Sequence, residues 1–398
     1  TMKDFVLVLS VVFFILLCIL LYIVSINAVI GNKRTYGNLL WNILFSFIIL
    51  IGLLQFINIV YSSVPSVSKV PEVKVGKHDR CIGSVFLKDD ILGDFHMLGS
   101  HNTCAVKVSD GFVNKDMLKK IIKIGVRYLD FEIYSIKGKT MVSASSDEND
   151  GICLKSTFNE ISIEEVLEVV YSNAFTSQFK EEPLFVQFRI RSSQKMVYRD
   201  LANAISKQLK ERILEPRYAY NCEKLMSSGR DYIENQPMTH FKERVVVVVH
   251  DPFGIIKSTP LYEFTNILLP QKSIFRASDI STDLHTRKTY ALNNKTQFSC
   301  ILPSIRDGKT EHYKYELASG IGFHAVCVDF WNQDANFNKV IENIFKTDGG
   351  AHAFVKRNKE NLAERIVVKA KVVSVPGARK PSTSKFNWFG VEEDYTTP

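Results

Sequence analysis

Paired cysteines are missing from this 398-residue chain: its seven cysteines, Cys18, Cys81, Cys104, Cys153, Cys222, Cys300 and Cys327, are odd in number and scattered. No disulfide framework follows from such spacing, and a reducing compartment is the simpler inference. One glycosylation sequon, Asn294-Lys295-Thr296, points the other way, but a single match arises easily by chance. No internal repeat is visible. No motif interleaves aromatic and basic residues, so nucleic acid is not an expected partner. The formal charge of +8 is modest for the length and suits an anionic membrane surface. Charge is absent altogether from residues 5–30 and again from 39–61. The first run also lacks a clear small-x-small cleavage site and is too long for a secretory signal, which argues against its removal.

What is there begins with those two runs. Each is long enough as a helix to cross a hydrocarbon core about 30 Å thick. The polar stretch 31–38 between them has the length of a hairpin turn, so residues 1–63 are expected to form a transmembrane hairpin with helices near 5–30 and 39–61. Lys69, Lys74, Lys77 and Arg80 outnumber Lys33 and Arg34 of the turn, which places the following domain on the cytoplasmic side of an integral membrane protein. Residues 64–79, with Pro65 and Pro71, read as an extended spacer. Residues 363–398 read as a basic tail in which Phe386, Trp388 and Phe389 lie beside basic residues.

Between spacer and tail, strand-like and helix-like segments alternate. Strands are expected at 95–98, 127–134, 184–190 and 245–249, then at 297–302, 324–331 and 352–356. Helices are expected at 115–124, 161–171, 196–213 and 336–345. The continuous valine run at 245–249 has the composition of a strand buried on both faces. The pattern weakens over 251–294, which reads as a linker. Repeated strand–helix units of this number predict an α/β fold with a parallel sheet closed into a barrel.

Two segments carry chemistry. FHMLGSHNT, 95–103, puts His101 and Asn102 where a strand runs into a loop; a His there can act as general base, and an Asn can offer oxygen to a hard cation. GVRYLDFEIY, from Gly125, spaces Asp130 and Glu132 two apart, on one face of a strand. Such a pair can bind calcium or can simply be solvated or ion-paired.

In this order and spacing the two segments resemble the X region of phosphoinositide-specific phospholipase C, with its Ser-His-Asn-Thr loop and Gly-x-Arg-x-Leu-acid-x-acid strand. GFHAVCVDFWNQDANFNKVIENIFKTDGGAHAFVKR, 322–357, resembles the same family's Y region, and ILPSIRDGKTEHY, 301–313, its Ile-Tyr-Pro-x-Gly-x-Arg segment. The resemblance covers about residues 81–357. It implies a distorted TIM (β/α) barrel of the phospholipase C-like phosphodiesterase type over 80–362, split into an X-like part at 80–250, the linker 251–294 and a Y-like part at 295–362. It also implies cleavage of an inositol lipid phosphodiester, with a His as base and calcium as the cation.

Carried across, His101 matches the catalytic base and Asn102, Asp130 and Glu132 match calcium ligands, although the family's acidic pair runs Glu then Asp. Arg306 and Tyr313 match substrate-binding positions, with a one-residue slip near Arg306. Two departures weigh against calcium and turnover. The family's second His lies in a stretch that here reads TMVSASSDEND, 140–150, with no His. Its last calcium-binding Glu falls where this chain has Arg189. An arginine beside Asp130 and Glu132 is expected to ion-pair with them and remove much of the affinity for calcium. His96 is expected to pack in the barrel, while His250, at a strand end, can reach the rim.

Two functions stay open. One is a degenerate phospholipase barrel held at the lipid bilayer, kept for binding inositol phospholipid head groups or for scaffolding with other structural proteins of a cell or virion membrane. The other is a working phosphodiesterase on inositol lipids or another glycerophosphodiester, with His101 as general base.

Overall fold

The computed structural model describes residues 46–47, 50–55 and 86–357, with 110, 150, 176–178, 180–181, 221–232, 307 and 348–349 excepted. The chain divides into two units, Thr1–Lys69 and Val70–Pro398. In the first, the described residues are helical, with Phe47, Ile51, Leu53 and Leu54 exposed. The rest of the stretches 5–30 and 39–61, the spacer 64–79 and the tail 363–398 lie outside the described residues. Among those described, no helix is long and apolar enough to cross a membrane.

Among the described residues the main sheet has eleven strands, eight of which form one parallel series: β1 (Phe95–Ser100), β2 (Tyr128–Ile136), β3 (Leu184–Ile190), β4 (Val245–His250), β5 (Ile267–Leu268), β6 (Ile274–Arg276), β7 (Cys300–Leu302) and β8 (Ala325–Val328). They hydrogen-bond in the order β5-β4-β3-β2-β1-β8-β7-β6, each neighbouring pair parallel. That is the cyclic order of a (β/α) barrel, and strands of both the X-like and the Y-like parts share the one sheet.

Two features differ from the expectation. The barrel is a curled sheet with a seam, since no pairing between β5 and β6 occurs among the described residues. The chain between them, 269–273, is far shorter than the dozen or so residues of a crossover helix, and it contains Pro270. The span 251–294 is also no linker: it supplies β5, β6 and a helix at Leu284–Asn293. Those strands are 2 and 3 residues long, too short to show an alternating period.

The helices form where apolar periodicity coincides with a cap. In α1 (Lys115–Lys123), Met117, Leu118, Ile121 and Ile122 are buried along one face, and the Asn114 side chain accepts from the Asp116 amide. In α2 (Ile163–Asn173) Ser162 caps through the Glu165 amide, with Ile163, Val166, Leu167 and Val170 buried. α3 (Lys195–Leu209) stops short of the expected 213, where Lys210 takes a φ of 44°. The expected helix at 336–345 is α-helical over Ala335–Val340, here α4, and passes into a π turn over Ile341–Phe345.

Inside the barrel, the lower layer is apolar. Tyr128 stacks on Phe185 with ring centroids 6.1 Å apart, and Phe298 stacks on both at 6.3 and 6.5 Å. Gly99 of β1 lets β8 approach, since a Cβ there would sit 2.5 Å from the Cys327 Sγ. Toward the C-terminal ends of the strands the same inward face turns ionic.

Candidate functional site at the barrel mouth

Side chains alternate along a strand, so Tyr128, Asp130 and Glu132 share one face of β2, and Phe185, Gln187 and Arg189 share one face of β3. The register sets Glu132, Arg189 and His250 in a single row across three strands. β1 ends in a turn in which Asn102 has a φ of 43°, a left-handed conformation that Asn tolerates better than most residues. The turn is clasped to β2: the Asn102 amide donates to the Asp130 carboxylate at 3.0 Å and the Thr103 amide to the Asp130 carbonyl at 2.9 Å. The Asp130 amide donates back to the Thr103 hydroxyl at 3.0 Å.

Arg189 is fully buried. Its Nε and Nη2 donate to the two oxygens of Asp130, each at 2.7 Å, a bidentate pairing. Its Nη1 donates to Glu132 Oε1 at 2.7 Å and its Nη2 to Asn102 Oδ1 at 2.9 Å. Glu132 Oε1 also accepts from Arg191 at 2.8 Å, and its Oε2 from the Tyr134 hydroxyl at 2.6 Å and the Ser145 amide at 2.8 Å. Burial alone would raise the carboxyl pKa values. The guanidinium of Arg189 nonetheless holds Asp130 below its usual value, and those of Arg191 and Arg189, with the Tyr134 hydroxyl, do the same for Glu132. Asn102, Asp130 and Glu132 therefore present their oxygens to arginine, hydroxyl and amide donors. As a donor set they do not fit calcium unless Arg189 leaves, and among the described residues no group of three or more His, Cys, Asp or Glu stands in a metal-holding arrangement.

His101 is also fully buried. Its Nδ1 donates to Asp329 at 2.9 Å, which leaves Nε2 as the basic nitrogen, 4.0 Å from Asp130 and without a hydrogen-bond partner. The Asp329 amide donates to His312 Nε2 at 2.9 Å, and His312 Nδ1 lies 3.1 Å from Asp334. Asp334 also caps α4 through the Phe337 amide. Burial would raise its pKa, but the hydrogen bond from His312 and the amides bring it down to about 2. Ser100 Oγ, Asn102 Nδ2 and Asp329 Oδ2, like His101 Nε2, are buried polar atoms without partners. All four lie at the C-terminal ends of β1 and β8, where ordered water or a bound group would satisfy them.

Above this cluster lies the segment 144–149. Ser145 reaches down to Glu132, the Asn149 carbonyl accepts from Arg191, and Glu148 accepts from the Ile305 amide and from the Ser278 hydroxyl at 3.5 Å. Since β2 and the β6–β7 side face each other across the ring, the segment spans the mouth. It occupies the stretch that, by the resemblance, corresponds to the family's second His.

Arg306 and Tyr313 line one cleft of about 320 Å³ together with Glu148, His312 and Lys314. Arg306 is exposed, while Tyr313 is buried with its hydroxyl unpartnered. None of His101, Asn102, Asp130, Glu132 or Arg189 lines that cleft; His312, one link from Asp329, connects the two places. His96 is half-buried, its Nδ1 2.6 Å from the Phe323 carbonyl, and His250 is buried with Nδ1 3.1 Å from the Leu269 carbonyl. The sequon residue Asn294 is buried and donates to the Ile321 carbonyl at 3.2 Å. Sequence reasoning passed over Asp329, His312, Arg191 and Glu148. Asp329 alone carried a signal, as an acid directly after a barrel strand.

No protein-family model matches the chain, and no curated protein sequence does. Solved structures do. PLC21 of S. officinalis matches with a TM-score of 0.54 at 12% identity, over 70% of this chain and 38% of that one. PLC21 of L. pealei matches with a TM-score of 0.54 at 13% identity, with the same coverages of 70% and 38%. A glycerophosphodiester phosphodiesterase from Parabacteroides distasonis matches at a TM-score of 0.31 and 11% identity, over 59% of this chain and 93% of that one. The chain thus spans 38% of the length of the two PLC21 chains. With the strand order above, the likeness to the two PLC21 structures shows a shared (β/α) barrel fold. At these identities it shows the fold alone.

Proposed function

We propose that this chain is a catalytically degenerate phospholipase C-like barrel that serves as a membrane-held binding or scaffolding component, in a cellular or virion membrane. The observation that carries the reading is Arg189, whose guanidinium takes both oxygens of Asp130 and one of Glu132. A calcium ion at these ligands would have to displace a buried, four-times hydrogen-bonded cation, so the barrel works without calcium. The acid position has no His, and general acid–base help is worth about 10²- to 10⁴-fold per group. Anchoring follows from the charge-free runs 5–30 and 39–61, with the barrel on the cytoplasmic side and inositol phospholipid head groups or other structural proteins as its partners.

A second reading, a phosphodiesterase with His101 as base, is supported by the His101–Asp329 pair, which orients the imidazole and leaves Nε2 open. Release of inositol phosphate from mixed micelles, with and without calcium, decides between them. The degenerate barrel gives the same background for wild type and His101→Ala. Release that disappears in His101→Ala overturns the first reading and establishes the second.

A further inference from the structure

We propose that His312 is the positioning residue of the His101–Asp329 pair: its ring nitrogen holds the backbone of Asp329, and through it the imidazole of His101, where a strand neighbour is missing. The inference goes beyond both readings above, because it concerns how the pair is held and is measured without turnover.

The strand geometry creates the need. β8 lies between β1 and β7, and a trans peptide unit points its carbonyl and its N–H in opposite directions. On the β1 side the Val328 carbonyl accepts from the His101 amide at 3.1 Å. The N–H of that same peptide unit belongs to Asp329 and faces the β7 side. There the ladder has ended among the described residues: its last register pair is Val326 with Ile301, and β7 stops at Leu302. Beyond Pro303 the chain turns into a hairpin of Ser304–Arg306 and Lys309–Glu311. Asp329 is fully buried, and a buried N–H without an acceptor is costly, so one has to come from outside the sheet. His312, the first residue after the hairpin, brings Nε2 to 2.9 Å from it.

Asp329 is thereby fixed on three sides. Its amide is held by His312, its carbonyl accepts from the Asn332 amide at 3.2 Å, and its Oδ1 accepts from His101 Nδ1 at 2.9 Å. His101 thus grips the Val328-Asp329 unit twice, by backbone and by ring, and His312 closes the remaining side.

His312 is itself built in, with 1% of its surface exposed. Its amide donates to Asp334 Oδ2 and its carbonyl accepts from Asn336 Nδ2, both at 3.2 Å, and its ring meets Phe337 edge-on with centroids 5.5 Å apart. Because Nε2 accepts, the ring proton sits on Nδ1, 3.1 Å from the Asp334 carboxylate that caps α4. A proton on Nε2 would set N–H against N–H, so only the tautomer protonated on Nδ1 holds Asp329. Support therefore runs from the start of α4 through His312 and Asp329 to His101.

The test uses the full-length chain in detergent micelles with isotope-labelled histidine. The ring-nitrogen resonances of His101 report its tautomer, and hydrogen exchange at the Asp329 amide reports the bond to His312. His312→Leu removes the acceptor, whereas His312→Gln returns one, since its Oε1 reaches the place of Nε2. In His312→Leu the Asp329 amide should exchange about tenfold faster, the equivalent of one hydrogen bond, and His101 should populate both neutral tautomers. His312→Gln should restore both readouts. Asn336→Ala cuts a tie between His312 and α4 but leaves the Asp329 amide its acceptor, so it should change neither. Unchanged readouts in His312→Leu, a His312→Gln no better than His312→Leu, or the same losses in Asn336→Ala overturn the proposal. If His312→Leu does not fold, His312→Gln decides alone: wild-type protection and tautomer support the proposal, and their loss overturns it. Turnover plays no part, so either outcome leaves the choice between degenerate barrel and phosphodiesterase to the micelle assay.

Discussion

Two fully buried arginines sit at opposite ends of the same parallel sheet, and the sheet treats them differently. Arg127, just before β2, faces one carboxylate, Glu182 at 3.1 Å, and two carbonyls, of Ala174 and Phe179, each at 2.8 Å. Arg189, near the end of β3, faces two carboxylates and an Asn carbonyl. At the floor, burial outweighs attraction, lowering the pKa of Arg127 and pushing Glu182 up to about 7. At the mouth, attraction wins and both carboxyls stay below their usual values. One arginine can offset burial for one partner only in part, whereas a network that adds Arg191, Tyr134 and two amides keeps its charges permanently. On the floor Glu182 titrates near neutrality, whereas the mouth carboxyls stay ionised well into the acid range.

The largest way to break the contrast is Arg189→Ala. It strands Asp130 and Glu132 in the interior and should cost about 3–5 kcal/mol in urea unfolding, while Arg189→Met with Asp130→Asn and Glu132→Gln should recover most of that. A loss below about 1 kcal/mol in the single variant would mean that the mouth is not held by this network.

Glu182→Gln sharpens the contrast through pH. Glu182 has a folded pKa of about 7, above its unfolded value, so its contribution is complete in acid and is lost as pH rises through 7. Asp130 and Glu132 are depressed, so theirs is complete above the unfolded carboxylate range and lost as pH falls below it. Wild-type stability should fall between about pH 5 and 7 by at most about 1.4 kcal/mol per unit, and Glu182→Gln should flatten that slope while leaving the acid limb unchanged. Thermal melts at several pH values check both limbs. The smallest effect belongs to the surface: Lys339 and Glu316 pair at 2.7 Å with both side chains about half exposed, and Lys339→Ala should change stability by less than about 0.5 kcal/mol.

The mouth was more legible in the sequence than the seam. Asp130 and Glu132 are two apart on a strand, Arg189 ends the next strand, and a parallel register brings such positions within about 5 Å, so their meeting could be read from spacing. The pairing of His101 with Asp329 spans 228 positions and exists only because β1 and β8 lie side by side. β5 and β6 stayed hidden because 2 or 3 residues carry no period. The bridge from Glu148 to Ile305 stayed hidden because a loop's course depends on donors 157 positions away. The end of α3 is conformational: Lys210 reverses the sign of φ within a run that still looks helical.

The seam between β5 and β6 has a mechanical consequence. A ring hydrogen-bonded all the way round fixes its own girth, since no strand can slide without breaking a ladder on each side. Here no strand pairing joins the outer edges of β5 and β6 among the described residues, and Leu269 and Ile274 on that flank are buried in one apolar cluster. Such edges would ordinarily invite a foreign strand. Two-residue and three-residue edges, with Pro270 lacking an amide hydrogen just beyond β5, offer too short a template for one. The seam leaves that flank without a ladder constraint and without an adhesive edge.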